Sequence, residues 1–192
     1  MRKIEEPKFE KKIVKTKFKF IPEIAIHYFT LPDGTIGEWD SIFTDKTTTV
    51  LVVPMTPEGK IVLVKLFRFP VENFCIEFPG GDAEKGEPLA DAAQRELLEE
   101  TGYVSDQPLA ELCRGHLFNA RTDGSFVIFL ARKCRKVSEP TPDLVEKFTG
   151  IRTVELESRD IINSIANGDA AYDLTISHAL VTLILKGLIK IN

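Results

Sequence analysis

The stretch GDAEKGEPLADAAQRELLEETGY, residues 81–103, sets the reading of the whole chain. Pro88 to Thr101 contains no glycine, carries proline where a first helical turn tolerates it, and is followed by Gly102, the residue type favoured just past a helix end. A helix is predicted there, fed by the loop Asp82 to Glu87 and preceded by Gly80-Gly81, which permits a sharp turn after the strand-like Cys75 to Phe78. On that helix Glu96, Glu99 and Glu100 are three and four residues apart, so their carboxylates share one face. Such like charges repel by a few tenths of a kcal/mol per pair, roughly, on an isolated helix, and a Glu-rich helix is most often simply a solvated face. A divalent cation would reverse the sign of the repulsion, and hard cations such as magnesium take oxygen ligands of this type. Arg95 can pair with Glu99 one turn on, or reach back across the loop to Glu87.

Upstream, Lys12 to Lys19 and Ile24 to Thr30 alternate apolar and polar residues, and Leu31-Pro32-Asp33-Gly34 supplies turn chemistry before Thr35 to Phe43. This predicts a small antiparallel N-terminal sheet. Thr47 to Pro54 and Ile61 to Phe67, separated by Pro57-Glu58-Gly59, read as a central hairpin. Downstream, Leu112 to Leu117, Phe126 to Ala131 and Ile151 to Leu156 read as strands, Arg135 to Lys147 as a loop, and Asp160 to Ala166 and Leu174 to Leu185 as helices. Strands interleaved with helices make a mixed α/β domain.

The length of 192 residues suits one well-packed domain with a small appendage, hence one active site. With 43% hydrophobic and 28% charged residues the composition is that of a globular protein. A formal charge of −4, from 29 acidic and 25 basic side chains without a long basic block, argues against a nucleic-acid partner. Cys75, Cys113 and Cys134 are too scattered for a zinc site or redox pair, and three isolated thiols fit a reducing, cytoplasmic setting. Neither a signal-peptide core nor an apolar run of about 20 residues is present, so no membrane association is expected.

The spacing Gly81, five residues, Glu87, seven residues, Arg95-Glu96-Leu97, one residue, Glu99-Glu100, one residue, Gly102 and Tyr103 resembles the Nudix box, with Tyr103 where that family usually has an aliphatic residue. The resemblance implies a Nudix fold, an α/β/α sandwich around a mixed sheet, and hydrolysis of a nucleoside diphosphate linked to another moiety. It also implies that Glu96, Glu99 and Glu100 bind magnesium, or manganese in its place, with a backbone carbonyl near Gly80 assisting, while Glu87 and Arg95 support them. Such a cation would polarise the diphosphate and make an attacking water more acidic.

Val64 to Pro70 and Glu77-Phe78-Pro79-Gly80-Gly81 are similar to segments of ADP-ribose and nucleotide-sugar pyrophosphatases, where an arginine matching Arg68 contacts substrate or the acids of the site. The same resemblance implies two parts: residues 1–46 as an N-terminal β extension that helps build a homodimer, and residues 47–192 as the hydrolase domain. In those enzymes the loop matching Arg135 to Lys147 supplies a further glutamate. The best register places Thr149 there, so Glu146, the nearest acid, is nominated, with Glu139 and Asp143 as other candidates and Glu99 or Glu100 as alternative activators of water. Phe29, with Tyr28 and Trp39, is a candidate for stacking on a base, and Arg121 for a phosphate, although Phe118 to Gly124 replaces the Ser-Pro-Gly stretch usual in the ADP-ribose enzymes. The expected products are a nucleoside monophosphate and a sugar phosphate. The alternatives are a nucleoside triphosphate pyrophosphohydrolase, against which the N-terminal sheet speaks, and a non-catalytic nucleotide sensor, against which the intact box carboxylates speak.

Overall fold

A computed structural model describes residues 8–15, 23–31, 33–43, 48–169 and 171–190. The chain separates into two compact units, Met1–Thr48 with Gly115–Ser125, and Thr49–Arg114 with Phe126–Asn192. The expected boundary between residues 46 and 47 lies outside the described residues, as do Pro32, Thr47 and the end of the first predicted strand.

The first unit holds three antiparallel strands in the order β1 (Lys8–Lys15), β2 (Glu23–Thr30) and β3 (Ile36–Phe43). The predicted turn joins β2 to β3: Gly34 has φ 85°, its N–H donates to the Leu31 carbonyl at 2.9 Å, and the Thr35 N–H donates to Asp33 Oδ1 at 2.9 Å. Segment 115–125 is anchored in the same unit. The Trp39 indole N–H donates to the Ala120 carbonyl at 2.7 Å, and the Ile42 N–H donates to the Arg121 carbonyl at 2.7 Å. The two-part division expected from sequence missed this excursion.

The second unit runs β4 (Thr48–Pro54), β5 (Ile61–Arg68), a 3-10 turn at Phe69–Val71, β6 (Asn73–Glu77), β7 (Gly80–Asp82), α1 (Leu89–Thr101), β8 (Tyr103–Ser105), β9 (Ala110–His116), β10 (Ser125–Ala131), β11 (Cys134–Lys136), α2 (Leu144–Thr149), β12 (Arg152–Leu156), α3 (Ser158–Ala166) and α4 (Leu174–Leu185). Its strands form sheets ordered β7-β4-β10-β9, β12-β5-β6 and β11-β8. The mixed α/β class follows as expected, and the last helix has the predicted limits.

The predicted hairpin of β4 and β5 is not found. These neighbours belong to different sheets and meet at a single bridge, Met55 to Ile61, around the Gly59 turn. The reason is burial. Val50, Val52 and Val53 in β4 and Ile61 to Val64 in β5 are almost wholly excluded from solvent, so each strand sits inside its own sheet with partners on both edges. Each such side chain contributes about 1.5–3 kcal/mol by leaving water. Leu97 of α1, Ile161 of α3, and Ile176 and Leu183 of α4 complete the core of this unit. Two elements were missed within the region read as a loop, the short β11 and α2.

Candidate active site

Helix α1 turns Ala92, Ala93 and Leu97 into the core, and that orientation carries Glu96 and Glu100 in with them, leaving them only 8% and 6% exposed. Carboxylates are almost never buried this deeply without partners. Glu100 finds its partner in strand β7 and Glu96 in Arg95, and β7 packs against both. Gly80 N–H donates to Glu100 Oε2 at 2.8 Å, and Gly81 lies so close to Glu96 that a Cβ there would stand 2.6 Å from Glu96 Oε1. Gly80 is pressed equally hard on its other side, where a Cβ would strike the Val50 backbone of β4. The glycine pair is therefore needed so that β7 can fit between β4 and the two carboxylates.

Arg95 clamps the same face. Its Nε and Nη2 each donate to one oxygen of Glu87 at 3.1 Å, while Nη1 donates to Glu96 Oε1 at 2.6 Å and to Glu99 Oε2 at 3.3 Å. Both pairings foreseen for Arg95 thus occur together, and the Glu87 interaction raises the guanidinium pKa further. Glu87, with a second donor in the Glu84 N–H at 2.9 Å, is held below its usual range chiefly by the Arg95 hydrogen bonds.

The loop after β11 reaches this face by a backbone strap. Gly102, φ 75°, ends α1, and its carbonyl accepts from the Val137 N–H at 2.8 Å; one turn back the Glu99 carbonyl accepts from the Thr141 N–H at 2.7 Å. Ser138 passes so near Gly102 that any Cβ there would collide with its carbonyl. Beyond the strap, α2 delivers Glu146. One oxygen each from Glu96, Glu100 and Glu146 lie within 4.8 Å of one another.

Electrostatically the trio is a trap for positive charge. Burial pushes Glu100 up to about 9 against the opposing Gly80 N–H, and the Glu146 charge adds to the rise. Burial also raises Glu96, with Arg95 opposing. Two buried carboxyl groups that resist ionisation, with a third, half-buried one beside them, suit a divalent cation that supplies the missing charge. The donor set is oxygen only and so fits magnesium-type ions.

Of the other residues singled out in sequence, Glu99 stays outside the trio and on Arg95, and Arg68 forms a two-point ion pair with Glu77 at 2.8 and 2.5 Å. Glu139 pairs with Lys136 at 2.9 Å. Thr149, which the register had placed at the glutamate position, is buried and its hydroxyl donates to the Glu146 carbonyl at 2.8 Å. Tyr103, the departure from the box, donates its hydroxyl to Glu155 Oε1 at 2.5 Å. In the N-terminal unit, the Phe29 ring covers Gly37, and Arg121 stacks over Trp39 at 5.0 Å while its Nη1 donates to Asp40 at 2.9 Å. Asp143 has a role that the sequence reading passed over: it caps α2. The signal was available in the spacing Asp143-x-x-Glu146, a capping-box pattern.

Residues 45–171 match the NUDIX domain family. The chain is 30% identical over 164 residues to the ADP-ribose pyrophosphatase of Bacillus subtilis (strain 168), covering 85% of each chain. It is 36% identical over 102 residues to the methanol dehydrogenase activator of Bacillus methanolicus, covering 52% of this chain and 54% of that one. To the ADP-sugar pyrophosphatase of Mus musculus it is 37% identical over 84 residues, or 39% and 38% of the two chains. A solved structure described as an ADP compounds hydrolase matches the fold over 100% of both chains with a TM-score of 0.82 at 17% identity.

Proposed function

Because the chain belongs to the Nudix family, we propose that it hydrolyses the diphosphate linkage of ADP-ribose or a related ADP-sugar, releasing a nucleoside monophosphate and a sugar phosphate. The observation that carries this reading is the trio of buried Glu96 and Glu100 with half-buried Glu146, assembled from box and loop. The similarity to ADP-ribose and ADP-sugar pyrophosphatases supports the substrate class.

Glu96 and Glu100, with Glu146 in reach of the same ion and the Gly80 carbonyl assisting, would hold the cation. Magnesium or manganese bound there would supply positive charge to offset the negative charge growing on the leaving phosphate and would make an attacking water more acidic. Glu146 accepts the proton of that water, with Glu99 or Glu100 as the other residues able to do so. Arg95 fixes Glu87, Glu96 and Glu99 by its fork of donors, which limits the reorganisation needed when substrate binds. Arg68, paired with Glu77 on β5 and β6, offers its remaining donors to a phosphate. Phe29 and Arg121 are assigned to substrate binding, and the N-terminal sheet to a homodimer. The three cysteines are free thiols, in keeping with a cytoplasmic setting, and among the described residues no helix is long and apolar enough to cross a membrane.

The test is a panel of ADP-ribose, UDP-glucose, GDP-mannose, NADH and nucleoside triphosphates, assayed for released monophosphate with and without magnesium. ADP-ribose turnover that stops on chelation is expected. Failure to cleave any diphosphate compound refutes the activity, and preference for triphosphates refutes the substrate class.

A further inference from the structure

Glu146 sits on a short helix that buries little of its surface. α2 spans only Leu144–Thr149, and its apolar side chains mostly face solvent: Leu144 is 70% exposed and Phe148 77%, with Val145 also exposed. Thr149 alone among its residues is buried. A helix this short gains too little from its own hydrogen bonds to persist in water, so beyond the buried Thr149 its end caps matter for fixing Glu146.

The first of these caps is a reciprocal pair of hydrogen bonds at the N-terminus. Glu146 N–H donates to Asp143 Oδ1 at 2.8 Å, and Asp143 N–H donates to Glu146 Oε2 at 2.6 Å. One carboxylate oxygen of Glu146 is thereby spent on the backbone, which orients the group while the same side chain takes part in the trio with Glu96 and Glu100. At the other end Gly150, in the left-handed region, returns its N–H to the Glu146 and Lys147 carbonyls, and Ile151 N–H reaches the Glu146 carbonyl at 3.3 Å. The capping box is therefore also the mount of the active-site glutamate.

We infer that Asp143 is a positioning residue for Glu146, acting through its Oδ1 acceptor rather than its charge. The inference rests on the proposed function for the role of Glu146, but its consequence for cation binding does not depend on the substrate. It also accounts for a glutamate three residues ahead of Thr149: the third position of a capped helix points its side chain back toward the helix start, where the trio lies.

The experiment compares Asp143→Ala, Asp143→Asn, Asp143→Glu, Glu146→Gln and the double variant Asp143→Ala/Glu146→Gln. Binding of Mn²⁺ alone is measured by electron paramagnetic resonance, and magnesium-dependent ADP-ribose hydrolysis in parallel. Asparagine keeps the acceptor and loses the charge; glutamate does the reverse. Glutamine at 146 keeps the box and removes the carboxylate. Asp143→Ala and Asp143→Glu are expected to weaken Mn²⁺ binding and lower kcat, each by roughly fivefold, with KM within about twofold. Asp143→Asn should stay within about twofold of wild type, and Asp143→Ala should add nothing once Glu146 is glutamine. If Asp143→Ala does not fold, Asp143→Glu carries the comparison alone and in the Glu146→Gln background. The inference is overturned if Asp143→Asn is as impaired as Asp143→Ala, if both retain wild-type Mn²⁺ binding and kcat, or if the loss persists undiminished beside Glu146→Gln. Loss of the substrate reading looks different: no ADP-ribose turnover, with the Mn²⁺ pattern intact.

Discussion

Replacing Glu100 by glutamine should make the cation-free protein more stable while disabling it. Glu100 is almost fully buried and accepts one hydrogen bond, from Gly80 N–H at 2.8 Å. Burial, together with the Glu146 charge, pushes its carboxyl up to about 9 from an ordinary 4.5. Between those values the folded chain holds a proton that the unfolded chain has lost. Stability from this group is thus fully present below the unfolded value and is lost as pH rises through the folded one. At about pH 8, some 3.5 units above the unfolded value, the loss is on the order of 5 kcal/mol. Glutamine has no proton to take up, can still accept from Gly80, and offers an N–H to the neighbouring carboxylates. In chelator at about pH 8, Glu100→Gln should therefore melt roughly 10 °C above wild type, for a chain of this size. The gap should narrow toward about pH 5, with a difference in slope near one proton. Millimolar magnesium should raise the wild type and leave the variant nearly unmoved, because only the wild type binds the ion well. Urea or thermal unfolding across that pH range, with and without magnesium, provides the assay. A variant no more stable than wild type in chelator, or an advantage that does not change with pH, would refute the electrostatic account of the trio.

Gly81→Ala puts a methyl 2.6 Å from Glu96 Oε1, so the carboxylate must move. Calorimetry should show cation affinity falling roughly tenfold to a hundredfold in a chain that still folds. Arg95→Lys cannot reproduce the fork that reaches Glu87, Glu96 and Glu99 together; kcat should fall at least tenfold and stability by about 2 kcal/mol, read by steady-state kinetics and urea titration. Tyr103→Phe removes the 2.5 Å hydrogen bond to Glu155. It should cost about 1 kcal/mol of stability with kcat within about twofold, since that hydroxyl faces β12 and not the trio.

Several parts of this architecture are legible one residue at a time. Pro88 and Gly102 bracket α1 because backbone geometry at helix ends restricts residue type, and the carboxylate spacing follows from helical period. The limits of α4 follow from its Asp173 cap and a twelve-residue stretch with apolar residues spread along its length. What escaped reading depends on distant partners. β4 and β5 are rich in apolar residues and neighbours in sequence, which resembles a hairpin, yet each pairs on both edges with strands from elsewhere in the chain. Residues 115–125 join the N-terminal unit through contacts such as Trp39 to Ala120, which no local pattern announces. α2 hides because its apolar residues face solvent, so the amphipathic signal is missing. In sequence Glu146 is marked only by its nearness to a register position; the strap from Val137 to Thr141 precedes the helix that sets it beside Glu96 and Glu100.

The strap has a bearing on how the molecule is made. During synthesis Glu96 and Glu100 leave the ribosome well before Thr141 and Glu146, and until the strap closes over Gly102 the helix face they occupy lacks its third carboxylate. Contacts between remote segments are among the slowest to form. The carboxylate cluster is therefore complete only late, once a segment some forty residues downstream has docked on the helix that carries its first two members.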